Sequence, residues 1–293
     1  MKIMKRIAFA PGHISAFFEP VYVNKNLDRT GSCGAGINIS LGGLSQVVVK
    51  PALHHTITVR INGSPSKAPV TKLALKYLLG EPPLRITVDT LLDLPESQGF
   101  GMSAAGALST SLAIANLLNL PRENAVKSAH YAEVQLSTGL GDVVGSNFGG
   151  IEIRRKAGLP PWGMQEHIPT KFDMVICIIG KQIKTHKILS DAAQLRKIAL
   201  YGRYYTKKLV ENPSVKQLFS LGWEFTKKIG IADKMVLKAI EAANQHGQAS
   251  MCMLGNSVYA IGDINQLSNS LARFGKIFCC TVDEQGARVL KER

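Results

Sequence analysis

The sequence predicts an α+β protein built from two halves, and three observations support this fold class. Segments with alternating apolar residues, typical of strands, dominate the first ninety or so residues, and strongly apolar helical segments follow them. A stretch rich in proline and glycine, residues 156–170, then interrupts the pattern. Beyond it, amphipathic helices alternate with short strands. We therefore expect one domain over residues 1–160 and a second over residues 161–293.

The first half begins with predicted strands and continues with predicted helices. The helix at residues 103–118 is so apolar that it should be buried on most sides. Residues 31–36, Gly-Ser-Cys-Gly-Ala-Gly, are interpreted as a flexible loop. The remaining elements are strands at 6–10, 36–50, 54–61, 84–90 and 151–155, and helices at 70–79 and 122–137.

The second half is predicted to mix helices with four strands. A buried strand is expected at residues 172–179 and a last strand at 276–282. The other predicted elements are helices at 189–200, 201–210, 215–228, 234–246 and 265–274, and strands at 249–254 and 257–261.

Composition excludes several classes of protein. The chain has 293 residues, 45% of them apolar, which suffices for a sizeable core. No apolar run is long enough to span a bilayer, and the basic first residues lack the apolar segment of a secretory signal. The five cysteines form no C-x-x-C pair, which favours reduced thiols and a cytoplasmic protein.

The net charge of +14 would attract polyanions such as nucleic acid. The basic residues are spread along the chain, however, and no aromatic and basic RNA-binding motif accompanies them. We therefore prefer a small anion as the ligand and expect neither nucleic acid nor a membrane as a partner.

The most informative segment is the glycine-rich loop, which we define as residues 95–105. Gly99 and Gly101 precede Ser103 and a predicted helix, the composition of a turn that leads into a helix N-terminus. Such a terminus has unpaired backbone N–H groups and a partial positive charge, and so suits a phosphate. Ser103 is predicted to be the N-cap and could also ligate a metal ion. A nucleoside triphosphate site is the hypothesis that follows.

This loop resembles the P-x-x-x-G-L-G-S-S-A-A phosphate loop of the GHMP kinases. The resemblance implies a nucleotide-binding role for the residues that match the motif, with Phe100 in place of Leu and Met102 in place of the first Ser. These residues are Pro95, Gly99, Phe100, Gly101, Met102, Ser103, Ala104 and Ala105. Two further segments resemble family motifs in order and distance, namely 10–13 (Ala-Pro-Gly-His) and 141–150.

Within this superfamily the amino-acid sequences of the motifs are similar to those of the archaeal pantoate kinases. The similar segments are residues 10–18, 31–36, 99–108 and 249–257. The resemblance implies a GHMP kinase fold, with an N-terminal half similar to a ribosomal-protein domain and a ferredoxin-like C-terminal half. It also implies that ATP phosphorylates pantoate to 4-phosphopantoate, a step of coenzyme A biosynthesis, in a groove between the halves.

Three residues are expected to carry the chemistry. By resemblance Asp142 is the catalytic aspartate that accepts or orients the proton of the 4-hydroxyl. The alternative is that Asp142 only caps a short helix. Ser103 and Glu133 are expected to hold Mg²⁺, which prefers oxygen ligands and keeps several waters. A solvated helix face is the alternative for Glu133.

Pantoate carries a carboxylate and two hydroxyls, so its site needs a cation and neutral donors. Arg154 could bind the carboxylate in a bidentate manner, while Arg155 should point to the other face of the sheet. His130 shares a helix face with Glu133, and the resemblance makes it a substrate ligand. Ser32 and Thr185 complete the implied set, although loop hydroxyls commonly bind only backbone.

Two departures from the family pattern leave questions open. Many GHMP kinases have a lysine at the position of His13, and Lys184 or Lys187 could supply the missing charge. The third motif, residues 247–257, lacks the usual glycines, so core packing with a turn at Gly255 is expected there. Alternatives to pantoate are another alcohol, such as homoserine or mevalonate, or a basic nucleic-acid-binding protein. A homodimer is left open.

Overall fold

Two long antiparallel strands organise the first half of the fold. In the computed structural model, which describes residues 3–182 and 191–291, β1 (Met4–Val21) pairs with β2 (Gly31–Pro51) along most of their lengths. The predicted strand at 6–10 is thus the start of a longer one. The predicted loop at 31–36 is wrong, because these residues begin β2. Their glycines leave room for neighbouring side chains: a Cβ at Gly36 would collide with the ring of His13.

In the described residues the larger sheet has eight strands, with β1 second from one edge and β2 next to it, further inside. Strand β7 pairs with β6, so this sheet continues past the predicted domain boundary at residue 160. Strand β12 returns from the C-terminus to pair with β1. The other strands are β3 (Thr56–Ile61), β4 (Ser64–Pro65), β5 (Leu84–Leu92), β6 (Ile151–Lys156), β7 (Met164–Ile168) and β12 (Arg288–Val289).

Four helices accompany this sheet, and α2 (Met102–Leu117) is the central one. Every residue from 104 to 115 is buried, as its apolar sequence predicts. The Ser45 hydroxyl on β2 bonds those of Ser109 (2.8 Å) and Thr110 (3.0 Å), so these buried polar groups are satisfied. The other three helices are α1 (Pro69–Leu79), α3 (Arg122–Leu136) and the short α4 (Asp142–Ser146).

The second half contains a four-stranded antiparallel sheet in the order β11-β8-β10-β9. This is the strand order of a ferredoxin-like fold, as the sequence resemblance implied. Its elements are β8 (Asp173–Ile178), α5 (Ala192–Glu211), α6 (Val215–Ile229), α7 (Lys234–Ala243), β9 (Gly247–Met251), β10 (Ser257–Gly262), α8 (Ile264–Ala272) and β11 (Lys276–Thr281).

The predicted helices at 189–200 and 201–210 form one helix, α5. It begins after Asp191, whose side chain accepts the N–H groups of Ala193 and Gln194. Gly202 does not interrupt the helix; it permits close packing, since a Cβ there would collide with the backbone of Phe18 on β1. Over residues 3–182 and 191–291, no helix combines the length and the apolarity that crossing a membrane requires.

Candidate active site

A cleft of about 610 Å³ lies where the two halves meet. Its lining includes residues of the glycine-rich loop, residues 136–142, and Ser15, Phe18 and Ser32. Residues 68–71 also line it, with Ile61, Thr90 and Leu92. The second half contributes Gln182, Met253 and Leu254. The groove expected between the halves is therefore present.

The glycine-rich loop leads directly into the first turn of α2. The helix begins at Met102 and its N-cap is Gly101, which has a left-handed φ of 61° that favours glycine. The prediction that Ser103 is the N-cap is therefore wrong, since Ser103 is the second residue of the helix and lines the cleft. The N–H groups of this first turn have no partners within the helix, which suits an anion in the cleft.

The residues of the loop divide into two groups. Gly99, Gly101, Met102 and Ser103 line the cleft. The side chains of Phe100, Ala104 and Ala105 are buried in the core, so they shape the loop and leave only their backbone for a ligand. Pro95 is exposed and does not contribute to the lining of the cleft.

The third motif supports this loop from the second half, as well as packing in the core as expected. The Ser257 hydroxyl donates to the carbonyl of Gln98 at 2.6 Å. A Cβ at Gly255 would collide with that same carbonyl, so only glycine permits the close approach. The Met253 N–H donates to the Ser15 carbonyl at 3.3 Å, which ties the turn to β1.

Asp142 and Glu133 approach each other beside the loop. A Cβ at Gly139 would lie 2.9 Å from the carboxyl carbon of Glu133 and 3.1 Å from Oδ2 of Asp142, so both carboxyl groups face the same small space. A Cβ at Gly101 would lie 3.1 Å from Cβ of Asp142. The catalytic aspartate implied by the resemblance is therefore adjacent to the glycine-rich loop.

The surroundings of the two carboxyl groups differ. Asp142 is the first residue of α4, whose N-cap is Gly141, and its side chain is 24% exposed. Glu133 is 1% exposed, so the solvated helix face is excluded. Burial, followed by the negative charge of Asp142, raises the pKa of Glu133 well above its usual value, although the Val143 N–H opposes the shift. Its Oε1 has no hydrogen-bond partner among the described residues.

His13 occupies the position where many relatives have lysine, and it contacts Asp142 directly. Its Nδ1 lies 2.8 Å from Oδ1 of Asp142 and its Nε2 lies 2.8 Å from Oε1 of Glu152. Burial lowers the pKa of His13, but the hydrogen bonds and charges of the two carboxylates outweigh it and raise the pKa overall. The raised pKa of His13 therefore favours the positive charge that a lysine supplies in many relatives. Lys184 and Lys187, the other candidates for this charge, lie outside the described residues.

Glu152 is a functional candidate that the sequence reasoning missed. It is fully buried on β6, two residues before Arg154, and the Nη1 of Arg154 donates to its Oε1. The sequence did contain a signal for this role. Residues two apart on a strand share a face, so Glu152 and Arg154 were expected side by side. A glutamate between Ile151 and Ile153 is expected to be buried and to need a partner of opposite charge.

The two adjacent arginines on β6 point in opposite directions, as predicted. Arg154 is 2% exposed, whereas Arg155 is exposed and pairs with Glu166 at the surface. A Cβ at Gly141 would lie 2.9 Å from Nε of Arg154, so this guanidinium lies directly behind a residue that lines the cleft. Nε and Nη2 are buried and have no hydrogen-bond partners among the described residues.

The other residues that the resemblance implied as substrate ligands are placed differently. Ser32 is buried, lines the cleft and lies against Gly141. His130 and Glu133 share the buried face of α3, but His130 does not line the cleft. Its Nε2 lies 3.1 Å from the carbonyl of Leu27 and 3.0 Å from that of Thr30. Thr185 lies outside the described residues.

This arrangement predicts that His130 makes stability depend on pH. Burial lowers the pKa of His130, although its backbone hydrogen bonds oppose this. The unfolded chain therefore binds a proton below about pH 6.5 that the folded protein does not. As the pH falls, the free energy of unfolding decreases by at most about 1.4 kcal/mol per pH unit.

Urea unfolding at pH 7.5 and 5.5 should show a smaller loss of stability for His130→Gln than for the unmodified protein. Replacement of the exposed His54 is the control; an equal loss in the His130 variant would contradict the prediction.

Comparison with known proteins agrees with this geometry. Residues 68–150 match the family described as the GHMP kinases N terminal domain. A pantoate kinase of Thermococcus kodakarensis is 33% identical over 87% of this chain and 86% of its own length. A pantoate kinase of Methanospirillum hungatei is 32% identical over 99% of this chain and 98% of its own. The chain therefore belongs to the GHMP kinase family, in the group of the pantoate kinases.

A solved structure described as a phosphotransferase related to the CoA biosynthesis pathway has the same fold. It is 28% identical, covers 98% of both chains and superposes with a TM-score of 0.88. Homoserine kinase from Cytophaga hutchinsonii is more distant, with 17% identity over 98% of this chain and 97% of its own, and a TM-score of 0.69, and shares the fold alone.

Proposed function

We propose that this enzyme transfers the γ-phosphoryl group of ATP to the 4-hydroxyl of pantoate and forms 4-phosphopantoate. The observation that carries this proposal is the position of Asp142, whose side chain lies beside Gly101 and the first turn of α2. A carboxylate next to a phosphate-binding turn can orient an attacking alcohol toward the phosphate. The family membership and the names of the relatives support the reaction.

The cleft offers an extended site to ATP. The unpaired N–H groups at residues 102–104 would hold the triphosphate, since helix N-termini bind anions through backbone N–H groups and the helix dipole. The apolar lining residues Ile61, Val70 and Leu92 would then receive the base. Most of the loop can bind through its backbone, which explains why Phe100 and Met102 can replace other residues of the family motif.

Mg²⁺ fits the residues beside the triphosphate site. No group of three or more His, Cys, Asp and Glu side chains suited to a metal occurs in residues 3–182 and 191–291. A nucleotide-bound Mg²⁺ needs only one or two protein ligands besides phosphate and water. The buried, unpartnered Oε1 of Glu133 suits this role, together with the hydroxyl of Ser103. When bound, Mg²⁺ neutralises negative charge on the phosphates.

The reaction itself needs one group that handles the alcohol proton. The 4-hydroxyl oxygen forms a bond to the γ-phosphorus, and the bond from that phosphorus to the bridging oxygen of ADP breaks. Asp142 takes the hydroxyl proton on Oδ2, because Oδ1 is bonded to His13. His13 holds the carboxylate in place and balances its charge.

Pantoate would bind between Ser32 and Arg154. The two unpartnered donors of Arg154 match a carboxylate, which accepts paired hydrogen bonds from a guanidinium. His130 is assigned an indirect part, since it holds the segment that leads from Leu27 to Ser32. Thr185 is kept as a proposed ligand from the resemblance. The cytoplasmic location is supported by the five free cysteines.

A coupled assay of ADP release against a panel of small hydroxy acids tests the function. Pantoate should be used with a kcat/KM far above those for homoserine and mevalonate, because the relatives that match most of the chain are pantoate kinases, whereas homoserine kinase shares only the fold. Equal or greater use of another alcohol would contradict the substrate assignment, and no ADP release with any alcohol would contradict the kinase assignment.

Replacing Glu133 with glutamine should weaken the use of Mg·ATP. The substitution removes the charge that attracts the cation and leaves a shape similar to the native one. We expect the Mg²⁺ concentration for half-maximal rate to rise by about tenfold, the equivalent of about 1.4 kcal/mol. Titration of Mg²⁺ at saturating ATP measures it. Glu123→Gln, at the exposed start of the same helix, is the control; an unchanged Mg²⁺ requirement in Glu133→Gln would remove Glu133 from the metal site.

A further inference from the structure

We propose that Glu152 is a positioning residue that holds the imidazolium of His13 against Asp142 and at the same time holds the guanidinium of Arg154 toward the substrate. The proposal rests on the function proposed above, because it assigns roles in that reaction to both partners of Glu152. It adds a residue that lies outside every motif on which the family resemblance was based.

The first observation is that one oxygen of Glu152 serves both cations. Oε1 lies 2.8 Å from Nε2 of His13 and also accepts Nη1 of Arg154. The His13 ring is thus held at both nitrogens, by Asp142 on one side and Glu152 on the other. The side chains therefore form a continuous line in the order Asp142, His13, Glu152, Arg154. It joins the group that takes the proton to the group that would bind the substrate carboxylate.

The second observation is that three of the four side chains in this line are buried. The side chains of His13 and Glu152 have no exposed surface and that of Arg154 has 2%, while Asp142, at the end of the line, is 24% exposed. Water therefore does not screen the charges of the three buried groups, and each must be balanced by its neighbours. The two carboxylates and two cations alternate along the line, so their formal charges sum to zero.

The third observation concerns the two cations, which are close together. Nη1 of Arg154 lies 3.3 Å from Nε2 of His13. Without a negative charge on Glu152, an imidazolium would face a guanidinium at this distance in a dry environment, and His13 would lose its proton. Glu152 therefore determines whether His13 can balance the charge of Asp142.

The charged and titratable groups that face the His13 ring come from two elements packed on β1. Asp142 lies on α4, and Glu152 and Arg154 lie on β6. The facing positions of β2 are glycine and asparagine, and those of α2 are apolar or uncharged. In the part of the chain that the structure describes, two carboxylates thus favour the imidazolium and one guanidinium opposes it, in agreement with the raised pKa of His13.

Glu152→Gln tests the proposal through the pH dependence of the rate. In the unmodified enzyme the imidazolium persists as the pH rises, because its pKa is raised; in the variant the proton is lost at lower pH. The kcat/KM for pantoate should therefore fall about tenfold or more at pH 8 and much less at pH 6. A role in packing alone would lower the rate by the same factor at both pH values, and that result would overturn the proposal.

The matched control is Glu166→Gln. Glu166 lies on β7 and pairs with the exposed Arg155 of the neighbouring β6, so the variant removes the same charge from a second glutamate–arginine pair of this sheet. Its pH profile should coincide with that of the unmodified enzyme. A shift equal to that of Glu152→Gln would also overturn the proposal, because it would show a general effect of charge.

A measurement on the unmodified protein covers the case in which Glu152→Gln does not fold. ¹H–¹⁵N spectra of the histidine side chains should show both ring nitrogens of His13 protonated at pH 7. A neutral ring at pH 7 would overturn the proposal whatever the substrate is. Failure of the unmodified enzyme to phosphorylate pantoate would contradict the proposed function instead, and leaves this spectroscopic test valid.

Discussion

Replacing Asp142 with asparagine is expected to lower kcat by about a hundredfold or more, the usual scale for the loss of a general base. Asparagine keeps the shape of the side chain, and its oxygen can still accept the hydrogen bond from Nδ1 of His13. It cannot take the proton of the attacking hydroxyl. The turn that would hold the triphosphate is built from backbone groups of α2, so the affinity for ATP should be nearly unchanged.

Steady-state kinetics of ADP release and calorimetric titration with ATP analogues measure the two effects separately. The matched control is Asp263→Asn, which makes the same change at the start of α8, where the Asp263 side chain accepts the N–H of Gln266. Asparagine is as good an N-cap as aspartate, so kcat should be normal. A kcat near normal in Asp142→Asn would exclude the aspartate as the base.

The sequence alone predicted those elements whose local residue pattern matches their surroundings in the folded protein. Helix α2 was predicted within one residue because an unbroken apolar run can only be buried. The opposite directions of Arg154 and Arg155 followed from the alternation of side chains along a strand. The juxtaposition of Asp142 with the glycine-rich loop followed from resemblance, since 41 residues separate Gly101 from Asp142 and no local pattern joins them.

The errors have a common physical cause, which is tertiary contact that overrides local composition. Gly34 and Gly36 resemble part of a loop, yet they lie in β2, where a Cβ would crowd Arg154 and His13, respectively. Gly202 resembles the end of a helix, yet it lies inside α5 because β1 approaches it closely. Glu152 was missed because its partners are far away in sequence, with His13 139 residues before it.

Replacing Arg154 with alanine should raise the KM for pantoate by about tenfold to a hundredfold, since a hydrogen bond to a charged group is worth about 1.5–3 kcal/mol. The KM for ATP should change much less, because Arg154 lies against Gly141, whereas the neighbours of Gly99 and Gly101 in the glycine-rich loop are Cys252, Met253, Asp142 and His13. The variant also leaves Glu152 buried beside His13 with one cation fewer. Loss of one partner of a buried ion pair costs about 3–5 kcal/mol, so the free energy of unfolding should fall as well.

The two effects can be separated with the neighbouring arginine and with added guanidinium. Arg155→Ala removes an exposed side chain, whose pairing with Glu166 contributes at most about 1 kcal/mol, and should leave both KM values unchanged. Guanidinium ions at low millimolar concentration, too dilute to unfold the protein, should partly restore the use of pantoate by Arg154→Ala if the lost group binds the substrate. An equal rise in both KM values, with no rescue, would make Arg154 a structural residue; a selective rise with rescue would place the substrate carboxylate at the end of the line that begins at Asp142.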